Sequence, residues 1–286
     1  MLGKIIRHEF KDTSKICGLI LLVVGVVTLL GALGIILAGR FFVNDGRFND
    51  SVTSSLWVMM LVITMMVYVI TLMGVCYGMM IYQGVHFYKT MYSDEGYLTQ
   101  TLPVTKHQLL LGKTFVAGIW YLLVMVCVGI SVVLLVFSLV FAVDSGFPAA
   151  SDMREFWREM GDAFHEMGRM RFQVTHVVIS AILALLITPF STMMTMFGAL
   201  TLGQLSGKYK ALMGILAYFG VMIVNMILSN IVQFLFSVGG ILADTFIYGG
   251  ASMAVAYDSA IVTGLIMGGG MYFISHHILT KRLNME

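Results

Sequence analysis

Charge is what this chain has least of. Asp, Glu, Lys and Arg make up only 11% of its 286 residues, where a soluble domain carries about 25%. So few charged groups cannot hydrate a folded surface, and lipid must take the place of water around it. Hydrophobic residues reach 59%, and the mean hydropathy is +0.92. The class is a polytopic membrane protein. A net charge of +2 gives no argument for a nucleic-acid partner.

Cysteine is scarce as well. Cys17, Cys76 and Cys127 lie within or at the edge of apolar runs. None has a CxxC or Cys/His partner, so neither a disulfide framework nor a metal site is expected. They read as small buried hydrophobes.

Catalytic motifs are missing too. Gly112-Lys113-Thr114 mimics the end of a phosphate-binding loop, but that motif needs a glycine where His107 stands. His165-Glu166 lacks the second histidine of a zinc-protease helix, since Arg169 holds its place. His276 and His277 fall near the end of the last apolar run and read as snorkelling or helix-end groups. No serine–histidine–acid set stands out. The chain is therefore read as no enzyme and as needing no cofactor, and any ATP-driven cycle requires a separate subunit. No Asp, Glu, Lys or Arg lies deep in an apolar run, which counts against ion-coupled transport.

What the chain does have is long apolar runs. A helical span needs about 20 such residues. Six stretches qualify, at 16–39, 55–83, 110–143, 174–203, 211–238 and 259–280. The predicted fold is all-α: one membrane domain over 1–286, with six transmembrane helices and no attached soluble domain. The first run is long enough to span and stay, so no cleavable signal is expected.

Orientation follows from basic residues. Lys4, Arg7, Lys11, Lys15, Lys89, Lys106, Lys113, Lys208, Lys210, Lys281 and Arg282 fall on one side. Arg40, Arg47, Arg154, Arg158, Arg169 and Arg171 fall on the other. The richer side is the cytoplasmic one, so both termini are expected inside.

Two further helices are expected along the membrane. In residues 2–14, Leu2, Ile5, Ile6 and Phe10 share a face, with Lys4, Arg7, Lys11 and Asp12 elsewhere. That pattern predicts an N-terminal interfacial helix within 1–15. In the outer segment 144–173, Met153, Phe156, Trp157, Met160, Phe164 and Met167 form a stripe over 152–170. Asp152 and the acids after it suit a helix start. This segment is either an external amphipathic cap or a plain connector.

A polar island interrupts the apolar pattern between the second and third runs, in a cytoplasmic segment at 84–108. Ser93-Asp94-Glu95 resembles a helix start, and Leu102-Pro103 ends the pattern. Thr105-Lys106-His107-Gln108 is a capping box opening the third span, with Val104 and Leu109 placed to staple it. A short helix joined rigidly to a span can transmit a push.

The string Ser93-Asp-Glu-Gly-Tyr-Leu-Thr-Gln-Thr-Leu-Pro-Val-Thr105, followed by Gln108-Leu-Leu-Leu-Gly-Lys113, resembles the inner loop of type-2 ATP-binding-cassette exporter permeases. It is most similar to the six-span permeases of Gram-positive bacteria. Six spans and an N-terminal interfacial helix also suit that family. The resemblance implies that the loop is a coupling helix docking on a separate cytoplasmic ATPase. Asp94, Glu95, Gly96, Tyr97, Leu98, Leu102 and Pro103 would make that contact. It further implies the bacterial plasma membrane, a second permease subunit forming a homo- or heterodimer, and export of a drug, antimicrobial peptide or lipid-like compound. The alternative is a non-transporting membrane scaffold or sensor whose loop binds another cytoplasmic partner.

Polar groups also mark two spans. Asn225, Ser229 and Gln233 recur every fourth residue in the fifth. They read either as the lining of a translocation path or subunit seam, or as interhelical glue. In the fourth, Thr188, Ser191, Thr192 and Thr195 surround Pro189, where a kink is expected. Gly74 with Gly78, and Gly264 with Gly268, are spaced for close helix packing.

Overall fold

The structure, a computed structural model, describes residues 2–44, 51–93, 105–143, 154, 158, 161, 171–206, 209–242 and 252–281. Residues 94–98, 102 and 103, which the resemblance implies would dock an ATPase, lie outside this set, as does most of 144–173. Arg154, Arg158 and Gly161 are helical.

Six helices account for nearly everything described. They are α1 (Leu2–Asn44), α2 (Ser51–Tyr92), α3 (Lys106–Val143), α4 (Arg171–Gly203), α5 (Lys210–Leu242) and α6 (Ser252–Lys281). Each contains a segment long and apolar enough to cross a membrane, and each coincides with one of the six expected runs. The chain is a multi-pass, all-helical membrane protein.

The helices run longer than the apolar runs. The 43 residues of α1 reach about 65 Å at 1.5 Å per residue, against a hydrocarbon core about 30 Å thick. Its amphipathic beginning is not a separate helix, because no break divides residues 2–14 from the first span. Nothing in the sequence there would break it: the Thr13 hydroxyl bonds back to the Glu9 carbonyl at 2.9 Å and reaches the Phe10 carbonyl at 3.5 Å, both within the helix. Likewise α2 continues through Tyr88 to Tyr92, well into the polar island.

The contacts divide the chain into two compact units. One holds residues 14–79 and 123–169, built from the long middle of α1, most of α2 and the second half of α3. Its core is Val24, Ile35, Tyr68, Leu72 and Leu135. Inside that apolar setting three hydroxyls meet. Thr28 Oγ1 and Ser131 Oγ are 2.6 Å apart, and the Tyr68 hydroxyl bonds the same Ser131. One residue from each of three helices thus closes a small polar knot where hydrocarbon offers no other partner. Gly31 gives Tyr68 its room: a Cβ there would lie 3.3 Å from the ring.

The other unit holds residues 1–13, 80–122 and 170–286. In it α4, α5 and α6 pack on one another. Glycines set the closest approaches. A Cβ on Gly203 would sit 2.3 Å from the Gly214 backbone, so α4 and α5 touch main chain to main chain. Gly268 lets α6 approach Ser191 of α4, where a Cβ would stand 3.1 Å from the serine hydroxyl. By contrast, nothing among the described residues comes within 4 Å of a Cβ at Gly74 or Gly78. Pro189 is fully buried within α4. The hydroxyls around it serve nearby carbonyls: Thr192 bonds the Thr188 carbonyl at 2.8 Å, and Ser191 reaches the Gly264 carbonyl at 2.7 Å.

Candidate functional site

The helix ends of this second unit gather at one place. Six helices in succession alternate in direction. The start of α1, the end of α2, the start of α3, the end of α4, the start of α5 and the end of α6 therefore belong together. The contacts agree. Tyr92 bonds Thr201 Oγ1 at 2.8 Å, tying α2 to α4, and Lys106 Nζ donates to the Leu279 carbonyl at 2.5 Å, tying α3 to α6. Gly203 against Gly214 ties α4 to α5. Both ends of the described chain thus share one end of the bundle with Ser93 and Thr105.

Thr105 opens α3 as its capping box predicts. Its side-chain oxygen accepts the Gln108 N–H at 3.3 Å, and its carbonyl accepts the Leu109 N–H at 3.1 Å. Leu109 and Leu110 are buried immediately after it, so the cap and the first apolar turn fix where the helix begins.

Two turns further on stands a buried cation. Lys113 is only 4% exposed. Its ammonium donates to Glu9 Oε1 on α1 and to Thr90 Oγ1 on α2, the latter at 2.8 Å. The other Glu9 oxygen lies 3.0 Å from His86 Nε2, and Asp12 Oδ2 is 3.9 Å from the same nitrogen. His86 and Thr90 are one helical turn apart, so α2 presents both to the cluster. Phe10 stacks on Trp120 at 4.7 Å, a second tie between α1 and α3. The start of α1 is therefore bolted to the helices on either side of the polar island.

This cluster escapes detection from sequence. There Lys113 counts only as one basic residue of the inner segment, and Glu9 as one charge of an amphipathic helix. A lysine eight residues beyond a firm helix cap, inside an apolar run, was the available signal, since such a group requires a partner.

The fifth-span residues are arranged differently. Asn225 and Ser229 are half-buried on the side of α5 that also carries buried Val232. Gln233 is exposed, as is Asn230, whose side-chain amide bonds the Met226 carbonyl at 2.7 Å. At the opposite helix ends, His176 Nε2 stands 3.5 Å from Asp258 Oδ2 and links the starts of α4 and α6.

No protein-family model matches the chain, and no curated protein or solved structure matches it either. Its class rests on its own architecture: a membrane protein of six spanning helices, with an ion cluster at the helix ends that flank one polar connection.

Proposed function

We propose that this chain is the membrane-spanning permease subunit of an ATP-binding-cassette exporter. It pairs with a second permease and is driven by a cytoplasmic ATPase that docks on the connection after α2. Both termini and that connection face the cytoplasm of a bacterium. The start of α1 lies in the inner membrane interface, and 152–170 caps the outer face. The exported compound is hydrophobic or amphiphilic, and Asn225, Ser229 and Gln233 border its path or the subunit seam.

The observation that supports this most is mechanical. The helix ends on either side of residues 94–104 are held by the Glu9–His86–Thr90–Lys113 cluster and the Thr105 cap. A partner that docks on Asp94, Glu95, Gly96, Tyr97 and Leu98, or on Leu102 and Pro103, would therefore act on helix ends at which α1, α2 and α3 are tied together. The coupling string described above supplies the kind of partner.

The test is co-purification in mild detergent from the native membrane. A cassette ATPase is expected to accompany the full-length chain. Glu95→Arg and Gly96→Pro should each cut its recovery about tenfold, the equivalent of about 1.4 kcal/mol. Undiminished ATPase in both variants would overturn the coupling role. Recovery of a different cytoplasmic protein on the same residues would favour a scaffold or sensor.

A further inference from the structure

A cavity of about 610 Å³ opens on the side of the unit formed by residues 1–13, 80–122 and 170–286. It lies among α1, α3, α4 and α6. Its walls are almost wholly apolar, with Phe115, Leu186, Phe190 and Leu265 prominent. The volume is that of a small-ligand site. Gly264 and Tyr272 both line it, so it runs at least eight residues along α6, about 12 Å at 1.5 Å per residue.

Three features say what fills it. First, Phe115, Leu186 and Leu265 are exposed, so the groove faces outward, and the helices that form it are membrane-spanning. The medium at its mouth is acyl chain. Second, α6 carries a glycine there with no packing reason. Nothing lies within 4 Å of a Cβ at Gly269, whereas Gly268 beside it is needed for the approach to Ser191. A helical glycine costs about 1 kcal/mol relative to alanine, and at Gly269 what it yields is groove depth.

Third, basic side chains stand just beyond one end of the groove, next to Tyr272. The Tyr272 hydroxyl bonds His107 Nδ1, and the His107 ring stands 5.9 Å from the His276 ring. Lys106 is the next residue in sequence. Its ammonium caps the last turn of α6, and it forms no ion pair among the described residues. An ammonium and two imidazoles next to an apolar slot complement an anionic head with a hydrocarbon tail.

We propose that this groove seats one acyl chain of an anionic bilayer phospholipid, its phosphate at Lys106, His107 and His276. The site does not depend on the permease assignment, because an undriven membrane protein would bind the lipid equally. Bilayer lipid is the source that fits an outward opening, since a transported compound would need a path within the protein.

The test uses the full chain, delipidated in mild detergent and offered dioleoyl phosphatidylglycerol or phosphatidylcholine, with bound lipid counted by native mass spectrometry. One phosphatidylglycerol per chain is expected, held about tenfold more tightly than phosphatidylcholine, a preference of about 1.4 kcal/mol. Gly269→Leu puts a side chain into the groove without meeting protein and should lower retention of both lipids about tenfold. Gly269→Ala should keep it, and circular dichroism of both variants checks the helices. His107→Ala with His276→Ala should keep a lipid but lose the preference for phosphatidylglycerol. Unchanged retention in Gly269→Leu overturns the proposal. So does a groove closed by a second copy, seen as a lipid-free dimer, or one occupied by a co-purified small amphiphile that phosphatidylglycerol does not displace.

Discussion

Lys113 shows how much one buried charge demands of its neighbours. Taking an ammonium out of water costs several kcal/mol unless a counter-charge and hydrogen bonds replace the solvent. Glu9 and Thr90 supply them, and His86 engages the remaining carboxylate oxygen. Removing one partner leaves the other buried charge under-compensated. Glu9→Leu is expected to cost about 3 kcal/mol, whereas Glu9→Leu combined with Lys113→Leu should cost less than Glu9→Leu alone. Thermal unfolding of the four proteins in mild detergent closes the cycle. A double variant as unstable as the sum of the two singles would show that the pair is not coupled. The cluster was not legible beforehand because its members are up to 104 residues apart. The same holds for Thr28, Tyr68 and Ser131, single hydroxyls that become a knot only when three helices meet. Thr105 was legible, because a cap acts on a backbone N–H three residues away and needs no tertiary contact.

At the scale of an element, the six spans could be read directly from hydropathy, but their ends could not. A helix stops where its backbone groups find other partners, not where apolar residues stop. α2 therefore carries His86 and Thr90 past the apolar run to serve the cluster. The join of α4 to α5 brings main chain against main chain at Gly203 and Gly214. Past Gly203 the chain closes with three short bonds, Gln204 N–H to the Thr201 carbonyl and Leu205 N–H to the Leu202 carbonyl, both at 3.1 Å, and Ser206 N–H to the Gly203 carbonyl at 3.2 Å. α5 then begins with the Met213 N–H on the Tyr209 carbonyl at 2.9 Å. Gly203→Ala would drive a methyl into the Gly214 backbone, which has no rotamer by which to yield. A loss of about 2 kcal/mol is expected from such overpacking. Gly78→Ala, with open space around it, should change little and serves as the control. Equal melting temperatures for the two variants would mean that α4 and α5 are not in main-chain contact.

For the molecule as a whole, helix alternation and the contacts at one end of the bundle put residues 93, 105, 209 and 281 on the same side of the membrane. The count of basic residues predicts Arg154 on the other. With Cys17, Cys76 and Cys127 replaced by alanine, single cysteines at Ser93, Tyr209 and Lys281 should all be protected from a membrane-impermeant maleimide in intact cells. A cysteine at Arg154 should react. Opposite labelling would invert the protein and remove the cytoplasmic docking surface. The groove beside α6 also belongs to this scale. No stretch of sequence encodes a cavity, since it arises where side chains on four helices fail to fill a volume.

The cluster at Glu9 bears on how the protein is made. A ribosome delivers Glu9 long before it delivers Lys113, and Thr28 is likewise 103 residues ahead of Ser131. The Glu9 carboxylate can meet His86 as soon as the second helix emerges, and the Thr28 hydroxyl bonds the Val24 carbonyl of its own helix from the start. The Lys113 ammonium and the Ser131 hydroxyl arrive only with the third helix. Synthesis halted after the second helix should leave the first held by fewer contacts and more open to quality-control proteases, and emergence of the third is the step that completes both clusters.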